Sequence, residues 1–135
     1  MTEKDVLDME WETVLIGKNL PHVDVVLQIA EEAAELSAAA AKYVRVLRGI
    51  NPSPVSCTKA CEKTAEEIAD VLVALNVFGA IRIDSEHMRI TVDSRIFETM
   101  REKTARWANR IRESQRGGEH AWWLIASSPG RNSGS

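Results

Sequence analysis

Between Pro21 and Gly49 the chain contains neither proline nor glycine, and Ala, Glu, Leu, Lys and Arg fill much of the stretch. An unbroken segment of about 27 residues with that composition predicts one long helix, about 40 Å from end to end. A compact chain of this length has a radius of gyration near 14 Å, so such a rod dominates any fold it joins. Proline at the first turn and glycine after the last follow the usual asymmetry of helix ends. Ile50 to Val55 (INPSPV) reads as a turn, and Ser56 is placed to cap a second helix reaching about Arg82, with Gly79 weakening its last turns. Asp93 can cap a third helix from about Ser94 to Gln115, closed by Gly117 and Gly118, and a shorter helix is expected from about Glu3 to Ile16. The expected architecture is an all-α helical bundle, one domain over residues 1–116 with a loosely ordered, Gly/Ser-rich tail over residues 117–135 that includes Trp122 and Trp123.

The third helix repeats Phe97, Met100, Thr104, Trp107 and Ile111 at alternating spacings of three and four, a single stripe expected to face inward. The two long helices differ. Val23, Val26, Ala30, Ala34, Ala41 and Val44 cover one side of the first, while Val25, Ile29, Leu36, Tyr43 and Leu47 cover another. On the second, Ile68, Leu72 and Leu75 point one way and Ala74, Val77 and Ile81 nearly the opposite. Helices apolar on two sides need cover on two sides, and so few helices offer little of it. The pattern therefore predicts a homo-oligomer, a dimer or tetramer that completes the bundle.

Composition narrows the function. With 17 basic against 20 acidic residues the net charge is −3, which argues against a nucleic-acid partner held by phosphate neutralisation. The acidic start, with Glu3, Asp5, Asp8, Glu10 and Glu12 against Lys4, lacks the basic opening and apolar run of a secretory signal. The longest nearly apolar run, Val71 to Ile81, is interrupted by Asn76 and falls short of the roughly 18 residues needed to cross a bilayer. A cytoplasmic protein without a membrane partner is expected. Cys57 and Cys61 have no neighbouring histidine or second cysteine pair, so the spacing indicates neither a disulfide framework nor a Cys/His zinc site, and they read as reduced thiols.

Acidic residues three apart occur as Asp5/Asp8, Glu32/Glu35 and Glu67/Asp70, and the last two pairs lie inside the two long helices, where that spacing puts both carboxylates on one face. Glu31 and Glu66 each add an acid four residues before the second member of a pair. Glu67 and Asp70 run directly into Val71 to Leu75, and Glu32 lies among positions occupied by Val25, Leu36 and Tyr43. Carboxylates in apolar surroundings need a positive partner. A hard divalent cation such as Mg²⁺ takes oxygen ligands and is held by a few carboxylates, water and substrate phosphates. Solvated acidic helix faces are the plain competing explanation. A helical di-iron site is disfavoured because none of His22, His87 or His120 has a glutamate three positions earlier, and Asp84-Ser-Glu-His87, though spaced like a metal motif, falls in an expected loop.

The runs Gln28-Ile-Ala-Glu-Glu-Ala-Ala-Glu-Leu36 and Glu66-Glu-Ile-Ala-Asp-Val71, joined through Asn51-Pro-Ser-Pro54 and followed by Lys103-Thr-Ala-Arg106, resemble the EExxE and ExxD signature of MazG-like nucleoside triphosphate pyrophosphohydrolases. This is the all-α pyrophosphatase superfamily that includes dimeric dUTPases. The likeness spans about Pro21 to Ile111. It implies Mg²⁺-dependent hydrolysis of a nucleoside triphosphate to the monophosphate and pyrophosphate, with Glu32, Glu35, Glu67 and Asp70 as metal ligands, the same four residues that spacing selects. It further implies Glu31 or Glu32 as the base for the attacking water and Lys103 and Arg106 as phosphate contacts. No Gly-rich phosphate loop of the G-x-x-x-x-G-K-[ST] kind is present. Trp11, His22, Tyr43, Asn76 and Trp107 are candidates to meet a base, none singled out by spacing. A degenerate relative that binds nucleotide or metal as a regulator, and a helical scaffold without activity, are the alternative expectations.

Overall fold

The computed structural model describes residues 3–84, 87 and 89–116, with the backbone alone over residues 3–7. The expected tail, its two tryptophans and Gly117-Gly118 lie outside the described residues. The fold is mostly helical: α1 (Glu3–Asn19), α2 (His22–Leu47), α3 (Cys57–Phe78), a small hairpin of β1 (Ile81–Asp84) and β2 (Arg89–Val92), and α4 (Ser94–Arg116). The elements α1 to β2 lie in one compact unit ending at Asp93, and α4 in a second that begins at Ser94.

Local chemistry sets these boundaries. Pro21 stands at the N-cap of α2, in extended backbone, rather than inside its first turn. Gly49, at φ 68°, ends α2 in the left-handed region, with Gly49 N–H donating to Val46 O and Ile50 N–H to Arg45 O. Gly79, at φ 85°, ends α3 in the same way through Asn76 and Leu75. Both are Schellman closures. The second of them stops α3 at Phe78, short of the expected Arg82, because a glycine in left-handed backbone turns the chain instead of merely weakening the helix. A Cβ added at Gly79 would meet no neighbour within 4 Å. Gly79→Ala is therefore expected to cost about 1 kcal/mol in urea unfolding, entirely from backbone conformation. At the other end of α3, the Ser56 hydroxyl accepts from Lys59 N–H at 3.2 Å, the anticipated cap.

The hairpin departs from the all-helical expectation. β1 and β2 pair antiparallel with Ile81 opposite Val92, Ile83 opposite Ile90 and Asp84 opposite Arg89. Ile-Arg-Ile-Asp and Arg-Ile-Thr-Val alternate apolar and polar in the two-residue period of a strand, and the β-branched residues suit a pleat. The runs are too short to stand out beside a helix that leads into them. Between the strands, His87 N–H donates to Asp84 Oδ1 at 3.2 Å and the imidazole Nδ1 approaches Asp84 Oδ2 at 3.1 Å. The backbone donor, and then the imidazole, hold the Asp84 carboxyl below its usual range. This pair closes a turn.

Helices α2 and α3 form the main packing pair, with α1 and β1 against α3. On α2 the covered residues are Val25, Ile29, Glu32, Leu36, Ala39, Tyr43 and Val46, with Ala40 beside them; the rest of the helix is exposed. On α3 the covered line is Ala60, Thr64, Glu67, Val71 and Ala74, broadening toward the C-terminus through Leu72, Leu75, Asn76 and Val77. Both lines step by four and three, the seam of two helices laid side by side. Ile68, on one of the two apolar sides of α3, is exposed. Asn76, the polar residue within the apolar run, donates from Nδ2 to Thr13 Oγ1 at 3.2 Å and ties α3 to α1.

One face of each long helix is thus covered within the unit. On α2 the opposite face remains open, with Val23 71% and Leu27 55% exposed. The Phe97–Trp107 stripe of α4, expected to be buried, is not: α4 has no buried residue, and Phe97 and Trp107 are each more than half exposed. Helix α4 is the one described element of its unit. Among the described residues no helix is long and apolar enough to cross a membrane.

Candidate metal centre

Glu32 and Glu67 occupy positions in the α2 and α3 seams where apolar side chains would ordinarily sit. The helices run antiparallel: Tyr43 stands beside Cys57 and Cys61, while Glu32 and Glu35 meet Glu67. Carboxylate oxygens of Glu32, Glu35 and Glu67 lie within 4.8 Å of one another, with Glu67 buried, Glu32 half-buried and Glu35 exposed. The three acids therefore form a graded well open on the Glu35 side. This group can hold a metal ion.

Glu67 is the anchor. It is 2% exposed, the one buried charged residue among those described. Lys63, one turn earlier on α3, reaches Glu67 Oε1 with its Nζ at 2.7 Å and also the exposed Glu66 at 3.0 Å. The Glu67 carboxylate, and less so Glu66, holds the Lys63 ammonium well above the ordinary lysine range, so that cation keeps its charge throughout the working pH range. Glu67 Oε2, by contrast, is buried and accepts no hydrogen bond. An orphaned buried acceptor costs about 1–3 kcal/mol, more when charged, and calls for a partner such as an ordered water or an ion. Lys63 is shared with Glu66, so the three carboxylates keep a net negative charge that a cation would offset. An all-oxygen donor set matches a hard cation.

Gln28, one turn before Glu32, donates from Nε2 to Glu32 Oε1, and both line a cleft of about 230 Å³ between α1, α2 and α3. Asp70 lines it too, from the α3 side, but does not join the three-carboxylate group. Away from these polar residues the cleft is walled by Ile16, Leu20, Val25, Val73, Ala74 and Val77. A polar end carrying carboxylates thus opens onto an apolar end.

The other sequence candidates are placed as follows. Glu31 is exposed on α2 and lies outside the three-acid group. Lys103 and Arg106 share a recess of about 330 Å³ on α4 with Trp107 and Arg110, a basic face around one indole. Among the residues considered for a base, His22 stacks on Phe78 with ring centroids 5.3 Å apart, Asn76 is bonded to Thr13, and Trp11 is 71% exposed. None of these, nor Tyr43, lines the cleft. Lys63 and Gln28 carry roles that spacing did not reveal, because a lysine one turn before a glutamate and a glutamine one turn before another are ordinary features of solvated helices. No family model matches this chain, and neither does any curated protein or solved structure.

Proposed function

We propose that this chain is a cytoplasmic Mg²⁺-dependent nucleoside triphosphate pyrophosphohydrolase of the MazG-like kind, converting a (d)NTP and water to the (d)NMP and pyrophosphate. The observation that carries the reading is the orphaned oxygen of buried Glu67 within a cluster of three carboxylates. A solvated acidic stripe has no reason to bury one of its members in a helix seam. Glu32, Glu35 and Glu67 would hold the metal from the two helices, with Asp70, which lines the adjoining cleft, as the fourth residue of the set. When bound, Mg²⁺ offsets the charge of the phosphates and acidifies the attacking water. Glu31 or Glu32 accepts that water's proton, with Gln28 orienting Glu32. The MazG-like likeness gives Lys103 and Arg106, on the basic face of α4, the role of phosphate contacts, and the apolar end of the cleft at Val25, Val73 and Val77 is suited to a base.

Incubation with a panel of (d)NTPs and Mg²⁺, followed by product identification, tests the reaction. Monophosphate with pyrophosphate is expected. Diphosphate with orthophosphate overturns attack at the α-phosphorus, and binding without turnover overturns the enzyme in favour of a regulator.

The active form is a homo-oligomer, a dimer or tetramer. The apolar residues left open on α2, and separately those on α4, support this, since a partner subunit would cover them. Sedimentation at micromolar concentration is expected to show no monomer, and a single monomeric species overturns the assembly.

A further inference from the structure

Lys63 and Glu67 lie one turn apart on α3, the usual spacing of an i, i+4 ion pair. An ordinary pair of this kind joins two exposed side chains and contributes little. Here the lysine is more than half exposed, but the carboxylate it reaches is buried and belongs to the three-acid group. The ammonium touches two carboxylate oxygens at once, Glu67 Oε1 at 2.7 Å and Glu66 Oε1 at 3.0 Å, and Glu66 is exposed and outside that group. The two oxygens of Glu67 therefore differ. One is paired with a cation of the chain itself, and the other, Oε2, is buried and accepts no hydrogen bond.

That division limits how Glu67 can serve a metal. A carboxylate binds an ion through one oxygen or through both. Where two metal ions stand about 3.5–4 Å apart, a carboxylate spanning them gives one oxygen to each. Grasping one ion with both oxygens, or spanning two ions, would each need Oε1. A lysine ammonium is a compact positive charge with three donors on a flexible stem, and on Oε1 it stands where a second cation would have to be. The contact with Glu66 strengthens the likeness, because two carboxylate oxygens already converge on that one cation.

We propose that Lys63 makes the carboxylate group a one-ion centre: its ammonium takes the place of a second metal ion on Glu67 Oε1 and leaves Oε2 for the single divalent cation. This deepens the metal reading of Glu32, Glu35 and Glu67, on which it rests, by fixing the number of ions and the residue that sets it. Lys63 acts through Glu67 and is a positioning residue. Its charge, more than its shape, excludes the second ion.

The test uses the full chain and Mn²⁺ alone, without nucleotide, and reads ions bound per chain by titration calorimetry together with the electron paramagnetic resonance of the bound metal. Wild type is expected to bind one Mn²⁺ per chain, with the hyperfine pattern of an isolated ion. Lys63→Met and Lys63→Gln remove the charge and keep most of the stem, and both are expected to bind two, the signal broadened by coupling between neighbouring ions. Lys63→Arg restores a cation and is expected to return the count to one. Adding Glu66→Gln to Lys63→Gln is expected to weaken the second ion at least about tenfold and to leave the first unchanged. Because the Lys63 side chain is largely exposed, these variants should keep the wild-type helical dichroism. Two ions on the wild type, or one on both uncharged variants, overturn the role of Lys63 while the carboxylate centre stands. Two ions on Lys63→Arg overturn it as well, since charge would then not be what excludes the second. A wild type that binds no Mn²⁺ overturns the carboxylate centre itself.

Discussion

Glu35→Ala is expected to lower turnover of the preferred (d)NTP by about two to three orders of magnitude while leaving the far-ultraviolet dichroism of the helices unchanged. Glu35 is the exposed member of the three-carboxylate group, so the fold has little stake in it and only the ion-binding function is removed. Preorganised groups that stabilise developing charge contribute on that scale each. Asp70→Ala, also at an exposed position, is expected to behave alike, although Asp70 lines the cleft without joining the cluster. Steady-state kinetics with Mg²⁺ held well above saturation provide the check. Activity retained in both variants would refute the proposed ligand set.

The second large effect concerns stability and has the opposite sign. Glu67→Leu is expected to stabilise the metal-free protein by about 1–3 kcal/mol, several degrees in Tm, because a buried, half-satisfied carboxylate gives way to an apolar side chain of similar size in a helix seam. The ion pair lost with it is a small sacrifice, since Lys63 is well exposed and retains Glu66. The same variant is expected to lose the rise in Tm that Mg²⁺ or Mn²⁺ confers on the wild type. Thermal unfolding in chelator and in excess metal measures both effects. Destabilisation in chelator would show that Glu67 is a structural residue whose Lys63 bridge holds the seam, and the metal reading would lose its anchor. A residue that weakens the fold while completing an ion site is a familiar cost of function.

Some of this was legible from residues alone. The absence of breakers between Pro21 and Gly49 made α2 visible, and Ser56 marked the start of α3 through a hydroxyl able to accept a free N–H. The hairpin was hidden because four-residue strands leave too few alternations to outweigh the helical run before them, and because Gly79 could be read as a weak spot as easily as a stop. The covered line of α3 was hidden for a related reason. Counting apolar residues gives this helix two apolar sides, whereas its covered line runs through Thr64 and Glu67, residues that any hydrophobicity count scores as exposed. The polar members of that seam drew attention only through their acidic spacing.

What the sequence by itself determined was local: which segments are helical, where they are capped, and which acids share a face of their own helix, since hydrogen bonds and side-chain spacing within a few residues decide these. Which acids meet across helices was decided by the tertiary structure alone. The register between α2 and α3 brings Glu32 and Glu35 to Glu67, leaves Asp70 at the cleft wall, sets Tyr43 beside two cysteines and buries one carboxylate oxygen with no partner. That register comes from interlocking two apolar seams whose members lie dozens of residues apart, and no spacing along the chain encodes the distance between them.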